Sequence, residues 1–281
     1  MKLEKANRQK VKMKMAIQGP SGSGKTYGAL LLGYGLINDW SKIAIIDTEN
    51  HSSELYAHLG PYNVISLEPP FNPEKFIEAL RVCEHNLIEV VIIDSMSHEW
   101  DGLGGILELH STMGGNSYTN WHKITPRHNS FIQQMLQAPF HVIGTIRAKQ
   151  EYILVERNGK KIPEKVGLKG IIREGQDYDF TVVFNLNADQ TVYVSKDRTG
   201  LFLQKESFKI SPQIGHQILS WCNNHNQNAI KIEDTDMQIR INQCMSLNEL
   251  LMLFQKSSSI SPDLHRAFSI KKEELSNRGH K

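Results

Sequence analysis

The sequence predicts an α/β fold in which a mostly parallel sheet lies between layers of helices. Three observations predict it: short apolar runs rich in Ile and Val recur, turn residues follow each run, and a helical pattern follows the turn. Strands buried on both faces have this composition, and alternating strands and helices are typical of a parallel sheet. The predicted strands are Met13–Ile17, Ile43–Ile46, Val90–Ile93 and Phe140–Ile146.

Composition limits the class of protein. The 281 residues are 40% hydrophobic and 22% charged, which is typical of a globular chain rather than a disordered one. The formal charge of +2 means that a nucleic-acid surface would have to be a local patch. Three widely spaced cysteines predict buried free thiols. A charged beginning and the lack of a long apolar run predict a soluble, cytoplasmic protein with no membrane partner.

Local signals place several further elements. Asn72–Pro73 predicts a helix start, followed by an apolar stripe of Phe76, Leu80, Cys83 and Leu87. After residue 147 the chain becomes polar and basic, and Asn158–Gly159 between two extended runs predicts a hairpin. Two antiparallel strands are then expected to extend the sheet. They are Phe180–Leu186 and Thr191–Ser195.

The end of the chain predicts a small appendage. The stretch Asn223–Asn228 has the composition of a linker. Beyond it, Ser246 and Glu249 form a capping box, and Ser261–Pro262 predicts another helix start. The predicted domains are therefore a core over residues 1–226 and a linker with helical appendage over residues 227–281.

The segment GPSGSGKT carries the strongest chemical signal, because it fits the P-loop pattern G-x-x-x-x-G-K-[ST] at every fixed position. Its glycines let backbone N–H groups point at phosphates, Lys25 reaches the β- and γ-phosphates, and the Thr26 hydroxyl ligates magnesium. The alternative is a chance glycine-rich turn. The sequence thus predicts ATP and Mg²⁺ as cofactors, and the predicted nucleotide-binding residues are Gly19, Pro20, Ser21, Gly22, Ser23, Gly24, Lys25 and Thr26.

Two carboxylates follow predicted strands. Asp94 ends VVIID, the Walker B arrangement that holds magnesium, although an aspartate there can also be a turn former. Glu49 follows IAIID and is the candidate for polarising the attacking water, since Ser95 occupies the position directly after Asp94. The alternative is that Glu49 and its neighbours only cap the next helix.

The order of a P-loop, IIDTEN and VVIIDS resembles the RecA-like recombinase and helicase core. In that family the catalytic glutamate follows the second strand, and the match places it on Glu49. The segment SKDRTGLF is similar to the K-x-R-x-G element of RadA and the DnaB helicases. The resemblance implies that Lys196 and Arg198 reach the ATP of a neighbouring subunit, against the alternative of a solvated charge pair.

A closer resemblance, covering most of residues 10–225, is to phage RecA-like ATPases of the single-strand annealing group. NSYTNWHKITPRHN, TIRAKQEYIL, KVGLKGIIREGQDYDFTVVF and KDRTG carry it. It implies DNA-stimulated ATP hydrolysis, binding of single-stranded DNA for annealing or strand exchange, and a homo-oligomer, either ring or filament. A single-strand-binding protein is a further expected partner, and a phage-encoded protein would act in the bacterial host cytoplasm.

The segment from Arg147 to Arg173 is the main DNA-binding candidate. It has eight basic residues against three glutamates, a balance of +5, and follows the strand where a RecA-like core carries its second DNA loop. The alternative is a solvated hairpin. A second candidate is Met113–Lys123, where Trp121 could instead anchor a helix. The predicted DNA-binding residues are Lys149, Tyr152, Arg157, Lys160, Lys161, Lys165, Lys169 and Arg173.

Thr145 and Arg147 end the strand after Walker B, where the resemblance implies a polar sensor of the γ-phosphate. RecA has a glutamine there, so Arg147 departs from it. The scattered histidines show no metal-ligand spacing. Two other functions remain open, an annealing protein that uses nucleotide only structurally and a DnaB-like motor or helicase loader. A nucleotide kinase would need a lid motif that the sequence does not show.

Overall fold

The computed structural model describes residues 3, 6–157, 160–203, 205–223, 237–255 and 262–278, with the backbone alone for residues 10, 150–157, 160–167, 255, 262–263 and 277–278. Contacts divide the chain into two compact units, residues 10–221 and residues 1–9 with 222–281. The strands are β1 Lys14–Gly19, β2 Ile43–Asp47, β3 Asn63–Ser66, β4 Val90–Asp94, β5 His141–Arg157, β6 Lys160–Gly170, β7 Val182–Leu186 and β8 Val192–Asp197. The helices are α1 Lys25–Ile37, α2 Pro73–His85, α3 Ser97–Asp101, α4 Ile106–Ser111, α5 Ser117–Gln137, α6 Pro212–Asn223, α7 Leu247–Gln255 and α8 Pro262–Arg278.

The sheet of the larger unit has the order β3-β2-β4-β5-β1-β7-β8. Each neighbouring pair from β3 to β7 is parallel, and β8 runs antiparallel to β7. The carboxyl ends of six parallel strands therefore meet at one edge, where an open α/β sheet binds its ligands. The mostly parallel sheet flanked by helices is as predicted.

Helices cover both faces of this sheet. The rings of Phe76 in α2 and Phe131 in α5 have centroids 5.2 Å apart. Both rings lie in a buried core that includes Ile46, Val91 and Val142. The residues next to these in each strand point to the other face of the sheet, because side chains alternate between the two faces along a strand.

On that opposite face lies α1. A Cβ at its Gly33 would contact Val90 and Ile143 at 3.2 and 3.7 Å. A Cβ at Gly35 would overlap the backbone of Pro212 at the start of α6. Glycine at residue 35 therefore permits the close approach of α1 and α6.

All four predicted strands of the first half are present, and β5 is much longer than predicted because it continues into the hairpin. The helix after Asn72–Pro73 is confirmed, with Asn72 Oδ1 accepting the N–H of Lys75. Leu87 was wrongly included in the apolar stripe of this helix: it lies after the end of the helix, with φ +53°, and is 73% exposed. The short strand β3 was missed, and β7 is parallel to β1 rather than antiparallel to the sheet.

The hairpin is formed by the second half of β5 and β6, which pair antiparallel from Ala148↔Gly170 to Arg157↔Lys160. Its predicted turn, Asn158–Gly159, lies outside the described residues. The first half of β5 pairs in parallel with β4 and β1 up to Arg147. One continuous strand therefore joins the centre of the sheet to the hairpin.

The smaller unit contains a helical segment over residues 237–243 together with α7 and α8. At the start of α7, Ser246 Oγ accepts the N–H of Glu249, which is one half of the predicted capping box. The Glu249 carboxylate accepts the N–H of Met245, one residue before Ser246, in place of the second half. Most of the predicted linker and the boundary at residues 226–227 lie outside the described residues, so the domain division stays a prediction. The buried core of this unit is Ile241, Cys244, Leu250, Leu264, Phe268 and Leu275.

In the described parts of the chain, no helix has the length and apolar character to cross a bilayer. The three cysteines are buried free thiols, as predicted.

Candidate nucleotide-binding site

The P-loop connects β1 to α1 at the carboxyl edge of the sheet. Gly22 and Gly24 have φ of +76° and +83°, the left-handed region that glycine adopts without strain. The Ser23 hydroxyl and the Lys25 ammonium each donate a hydrogen bond of 2.9 Å to the Pro20 carbonyl. Because α1 begins at Lys25, its free N–H groups and positive dipole end face the loop. The local geometry is that of an anion cradle.

Thr26 and Thr145 both bind Asp94. The Thr26 hydroxyl donates a hydrogen bond of 2.5 Å to Asp94 Oδ2, and the Thr145 hydroxyl donates to Oδ1. Burial raises the pKa of Asp94 above its ordinary value, although the two hydroxyl donors act in the opposite direction. The sheet brings these residues together because Ile93 of β4 is the register partner of Gly144 of β5.

These oxygens fit magnesium. Mg²⁺ keeps several waters and takes one or two protein oxygens beside phosphate oxygens, which the Thr26 hydroxyl and the Asp94 carboxylate can supply. The hydroxyl of the adjacent Ser95 is the one buried side-chain polar atom, among the described residues, that has no hydrogen-bond partner in the structure. No described cluster of three or more His, Cys, Asp or Glu residues offers an all-protein metal site. The donor set therefore fits a metal shared with phosphate.

Glu49 forms a bidentate ion pair with Arg147. Arg147 Nε donates to Glu49 Oε1 at 2.8 Å, and Nη2 donates to Oε2 at 2.5 Å. Burial alone would raise the pKa of Glu49, but the hydrogen bond and charge of Arg147 hold it below its ordinary value. The predicted water-activating residue and the predicted sensor thus touch each other.

Neighbouring residues support this pair. The Thr48 hydroxyl lies 2.6 Å from Nδ1 of His98 and accepts the N–H of Ser95 at 2.8 Å. The Arg147 N–H donates to Ser97 Oγ at 2.9 Å. Thr48, Ser97 and His98 were missed by sequence reasoning, since nothing in their spacing distinguishes them from other polar residues at strand ends.

Asp47 has a structural role, as the helix-capping alternative supposed. Its Oδ1 accepts the N–H of Glu49 at 2.6 Å, and Oδ2 accepts the N–H of Ser53 at 2.9 Å. These bonds hold the turn after β2. The Glu49 carboxylate does not cap this turn; it faces Arg147.

Two tyrosines lie beside the P-loop. Tyr27 follows Thr26 directly, is 39% exposed, and its ring centroid is 5.7 Å from that of Tyr56. Gln190, in the turn between β7 and β8, also approaches the loop, since its side chain would lie 3.6 Å from a Cβ at Gly24. Sequence reasoning missed all three, although an aromatic residue directly after the P-loop threonine was a usable signal.

Lys196 and Arg198 lie far from this site. Lys196 is the register partner of Val183, which pairs with Ala16, so both basic residues lie toward the amino end of β1. Lys196 donates two hydrogen bonds, to the Asp177 carbonyl at 2.9 Å and the Tyr178 carbonyl at 2.6 Å. Arg198 is exposed.

The predicted DNA-binding residues are only partly described. Lys149 and Lys169 are exposed register partners near the foot of the hairpin. Arg173 donates to Asn129 Oδ1 at 3.1 Å. The side chains of Tyr152, Arg157, Lys160, Lys161 and Lys165 lie outside the described residues.

The second candidate loop leads into α5. Within α5, Trp121 stacks on His110 with ring centroids 4.2 Å apart and lies 6.0 Å from Trp100. Trp121 thus packs against α3 and α4, which favours the anchoring alternative. Tyr118 is 75% exposed.

Comparison with known proteins gives one family. No curated protein matches the chain. Among solved structures, a KaiC-like protein from the archaeon Pyrococcus horikoshii OT3 is similar, with 14% identity and a TM-score of 0.38 over 71% of this chain and 86% of that one. The AAA domain profile AAA_24 matches residues 11–228, which contain the P-loop, the whole sheet and α6. The chain therefore belongs to the AAA domain family AAA_24, a family of P-loop nucleotide-binding ATPases.

Proposed function

We propose that this protein binds and hydrolyses ATP with Mg²⁺, binds single-stranded DNA, and acts as a multimer in annealing or strand exchange. The observation that carries the ATPase proposal is the convergence at one sheet edge of the P-loop, the Thr26–Asp94–Thr145 hydrogen bonds and Glu49. A phosphate cradle, an oxygen pair for a metal and a separate carboxylate are the parts that hydrolysis of a phosphoanhydride needs.

In this proposal each group has one task. The P-loop amides and Lys25 would hold the phosphates, and the Thr26 hydroxyl and the Asp94 carboxylate would hold the metal. Bound magnesium supplies neutralisation of phosphate charge. Glu49 orients the attacking water and accepts its proton.

The position of Arg198 supports action between subunits. Asp197, the residue before Arg198, is the register partner of Val182, and Val182 is the register partner of Met15. Met15 lies four residues before Gly19, the first glycine of the P-loop. That length of strand is about 13 Å, which is more than an arginine side chain can span. Arg198 is therefore out of reach of the nucleotide of its own chain, and in this proposal it acts on the ATP of a neighbouring copy.

The hairpin supports the DNA part of the proposal. It leaves the sheet at Arg147, the register partner of Gly19, so it begins at the same edge as the P-loop. The exposed Lys149 and Lys169 are placed to contact a phosphate backbone. Binding of DNA beside the nucleotide gives a route by which it can raise turnover.

The ATPase proposal is tested by measuring nucleotide binding and phosphate release separately. Lys25→Ala should abolish both, whereas Glu49→Gln should bind ATP and lose turnover by about a hundredfold or more. Arg127→Ala is a matched control, since Arg127 forms the same bidentate pair with Glu74 on the surface, at 2.7 and 2.8 Å. Phosphate release by Glu49→Gln at the wild-type rate would refute the role of Glu49.

The DNA proposal is tested by titrating single-stranded DNA at several salt concentrations. Lys149→Gln should weaken binding and reduce the slope of log K against log salt by about 0.7. Lys42→Gln, at the opposite edge of the sheet, should leave the slope unchanged. Lack of DNA binding at low salt would refute this part of the proposal.

A separate measurement is the rate of DNA annealing by Lys25→Ala. Annealing at the wild-type rate would favour the alternative in which nucleotide is only a structural ligand.

A further inference from the structure

An apolar groove lies between α7 and α8, wholly within the smaller unit. It has a volume of about 400 Å³, which is in the range of pockets that hold a small molecule or a few side chains. The residues that give it its chemistry are Leu247, Leu251 and Phe254 of α7 and His265, Phe268 and Lys272 of α8. None of them belongs to the candidate nucleotide-binding site.

The floor of the groove is formed by aromatic packing. The Phe254 ring lies edge-on to the Phe268 ring, with centroids 5.1 Å apart, and its centroid is 5.5 Å from that of the His265 ring. Phe268 belongs to the buried core of the unit, together with Leu250 and Leu264. Because core packing holds these rings, the groove exists before any ligand binds.

Helix α7 is apolar on two sides. Leu250 and Leu253 pack in the core of the unit. Leu247, Leu251 and Phe254 follow one another at the four- and three-residue spacing of a helix face, and all three are between 39% and 56% exposed. A surface helix normally has one apolar face, which packs on the core. A second, contiguous apolar face marks a site of contact with another molecule.

The charge of the groove is positive at one end. Lys272 is exposed and makes no hydrogen bond or ion pair within the described part of the chain, whereas the adjacent Lys271 pairs with Glu274 at 3.2 Å. No carboxylate lines the groove among the described residues. The one carboxylate of α7, Glu249, accepts the N–H of Met245 instead. An occupant that complements this groove is therefore apolar, with a negative charge near Lys272.

Two other occupants fit less well. Helices α7 and α8 together have four basic and four acidic residues, so they lack the net positive charge that a nucleic acid requires. The same face of a second copy would bring no carboxylate to Lys272. The observations thus favour a peptide of a different protein.

We propose that this groove binds a short acidic peptide segment of a partner protein. A bulky apolar side chain of the peptide lies against Leu251 and Phe254, and a carboxylate of the peptide pairs with Lys272. This inference goes beyond the proposed ATPase and DNA-binding functions and does not depend on them.

The test is a selection of peptides from a random library displayed on phage, with the whole chain as bait. The selected peptides should be rich in aspartate and glutamate and should contain leucine, phenylalanine or tryptophan. A synthetic, fluorescein-labelled copy of the most enriched peptide then gives a Kd by fluorescence anisotropy. Leu251→Glu should weaken its binding about tenfold or more, and Lys272→Gln about two- to fivefold.

Two residues of α8 outside the groove give matched controls. Ile270 and Arg266 are both exposed, and neither lines the groove. Ile270→Glu and Arg266→Gln should leave the Kd unchanged, and thermal melting shows that each variant is folded. Rising salt should weaken binding to the wild-type protein more than binding to Lys272→Gln.

Three results would overturn the inference. The first is a selection in which the wild-type bait enriches no peptide that the Leu251→Glu bait does not also enrich. The second is a set of enriched peptides without acidic residues. The third is a dimer in analytical ultracentrifugation that Leu251→Glu dissociates, because a second copy would then cover the groove.

Discussion

Lys196 is tied to Tyr178. Its ammonium donates a hydrogen bond of 2.6 Å to the Tyr178 carbonyl and lies 5.5 Å from the centroid of the Tyr178 ring. Arg198, two residues further, is exposed, and the loop that presents it is held by Asp197, whose carboxylate accepts the N–H groups of Thr199 and Phe202 at 2.8 Å each. The two basic residues of the KDRTG segment therefore have different surroundings and different expected roles.

Arg198→Ala should lower ATP turnover by about a hundredfold or more without changing stability, if the residue acts on the nucleotide of a neighbour. The measurement is complementation. Mixing Arg198→Ala with Glu49→Gln should restore part of the activity, because some interfaces then pair an intact Glu49 with an intact Arg198. Two inactive variants that stay inactive when mixed, while still co-assembling, would contradict action between subunits.

Lys196→Ala should act mainly on stability. Loss of two hydrogen bonds to backbone carbonyls of the 3-10 helix Gln176–Asp179 should lower the free energy of unfolding by about 1–2 kcal/mol. Denaturant unfolding of the variant checks this, with Lys42→Ala for comparison, since Lys42 makes one weaker bond of 3.3 Å. An unchanged unfolding midpoint would show that the contacts of Lys196 contribute little.

Thr145→Val should impair the proposed metal site while keeping the shape of the side chain. The substitution removes the hydroxyl that donates to buried Asp94 and so raises the pKa of that carboxyl further. We expect a higher Mg²⁺ concentration for half-maximal turnover, and Thr145→Ser should restore the wild-type value. An identical Mg²⁺ dependence in both variants would mean that Thr145 does not tune Asp94.

Gly35→Ala should destabilise the larger unit by about 1–3 kcal/mol, because its methyl group would overlap the backbone of Pro212 in α6. Gly114→Ala is the matched control, since a Cβ there has no atom within 4 Å. Thermal unfolding should separate the two variants clearly. Equal melting temperatures would show that α6 can move away without cost.

His141 should make stability depend on pH. The residue is 5% exposed, and its Nδ1 accepts the N–H of Met13 at 3.0 Å, which requires the neutral ring. Burial, with the charges of Lys12 and Lys14, lowers its pKa to about 4. Between pH 6.5 and 4 the histidine is protonated in the unfolded state but not in the folded state. The stability of the folded state is therefore highest above pH 6.5 and falls as the pH falls toward 4.

The free energy of unfolding should fall by about 3 kcal/mol between pH 6.5 and 4 because of His141. Carboxylates also titrate there, so the comparison is with His141→Asn, which keeps an acceptor and does not titrate. Between pH 6.5 and 4 the variant should lose less stability than the wild-type protein. Parallel curves of unfolding free energy against pH would contradict a neutral, buried His141.

Local sequence was sufficient for the central strands and for the helix after Asn72. Strands buried on both faces, such as Val90–Asp94, are fully apolar before their last residue, and Asn followed by Pro is a strong helix start. The strand β3 was not predictable in the same way. Its residues are only partly buried at the sheet edge, so its short segment lacks the apolar run that marks the others.

The sequence by itself determined the phosphate cradle, because the P-loop is one continuous segment whose glycines, lysine and threonine act through local backbone geometry. Only the tertiary structure decided that Arg147 holds Glu49, two residues 98 positions apart. It also placed the KDRTG segment at the end of the sheet away from Gly19. Such relationships depend on strand order and register, which bring distant residues together and leave no trace in the spacing of any one motif.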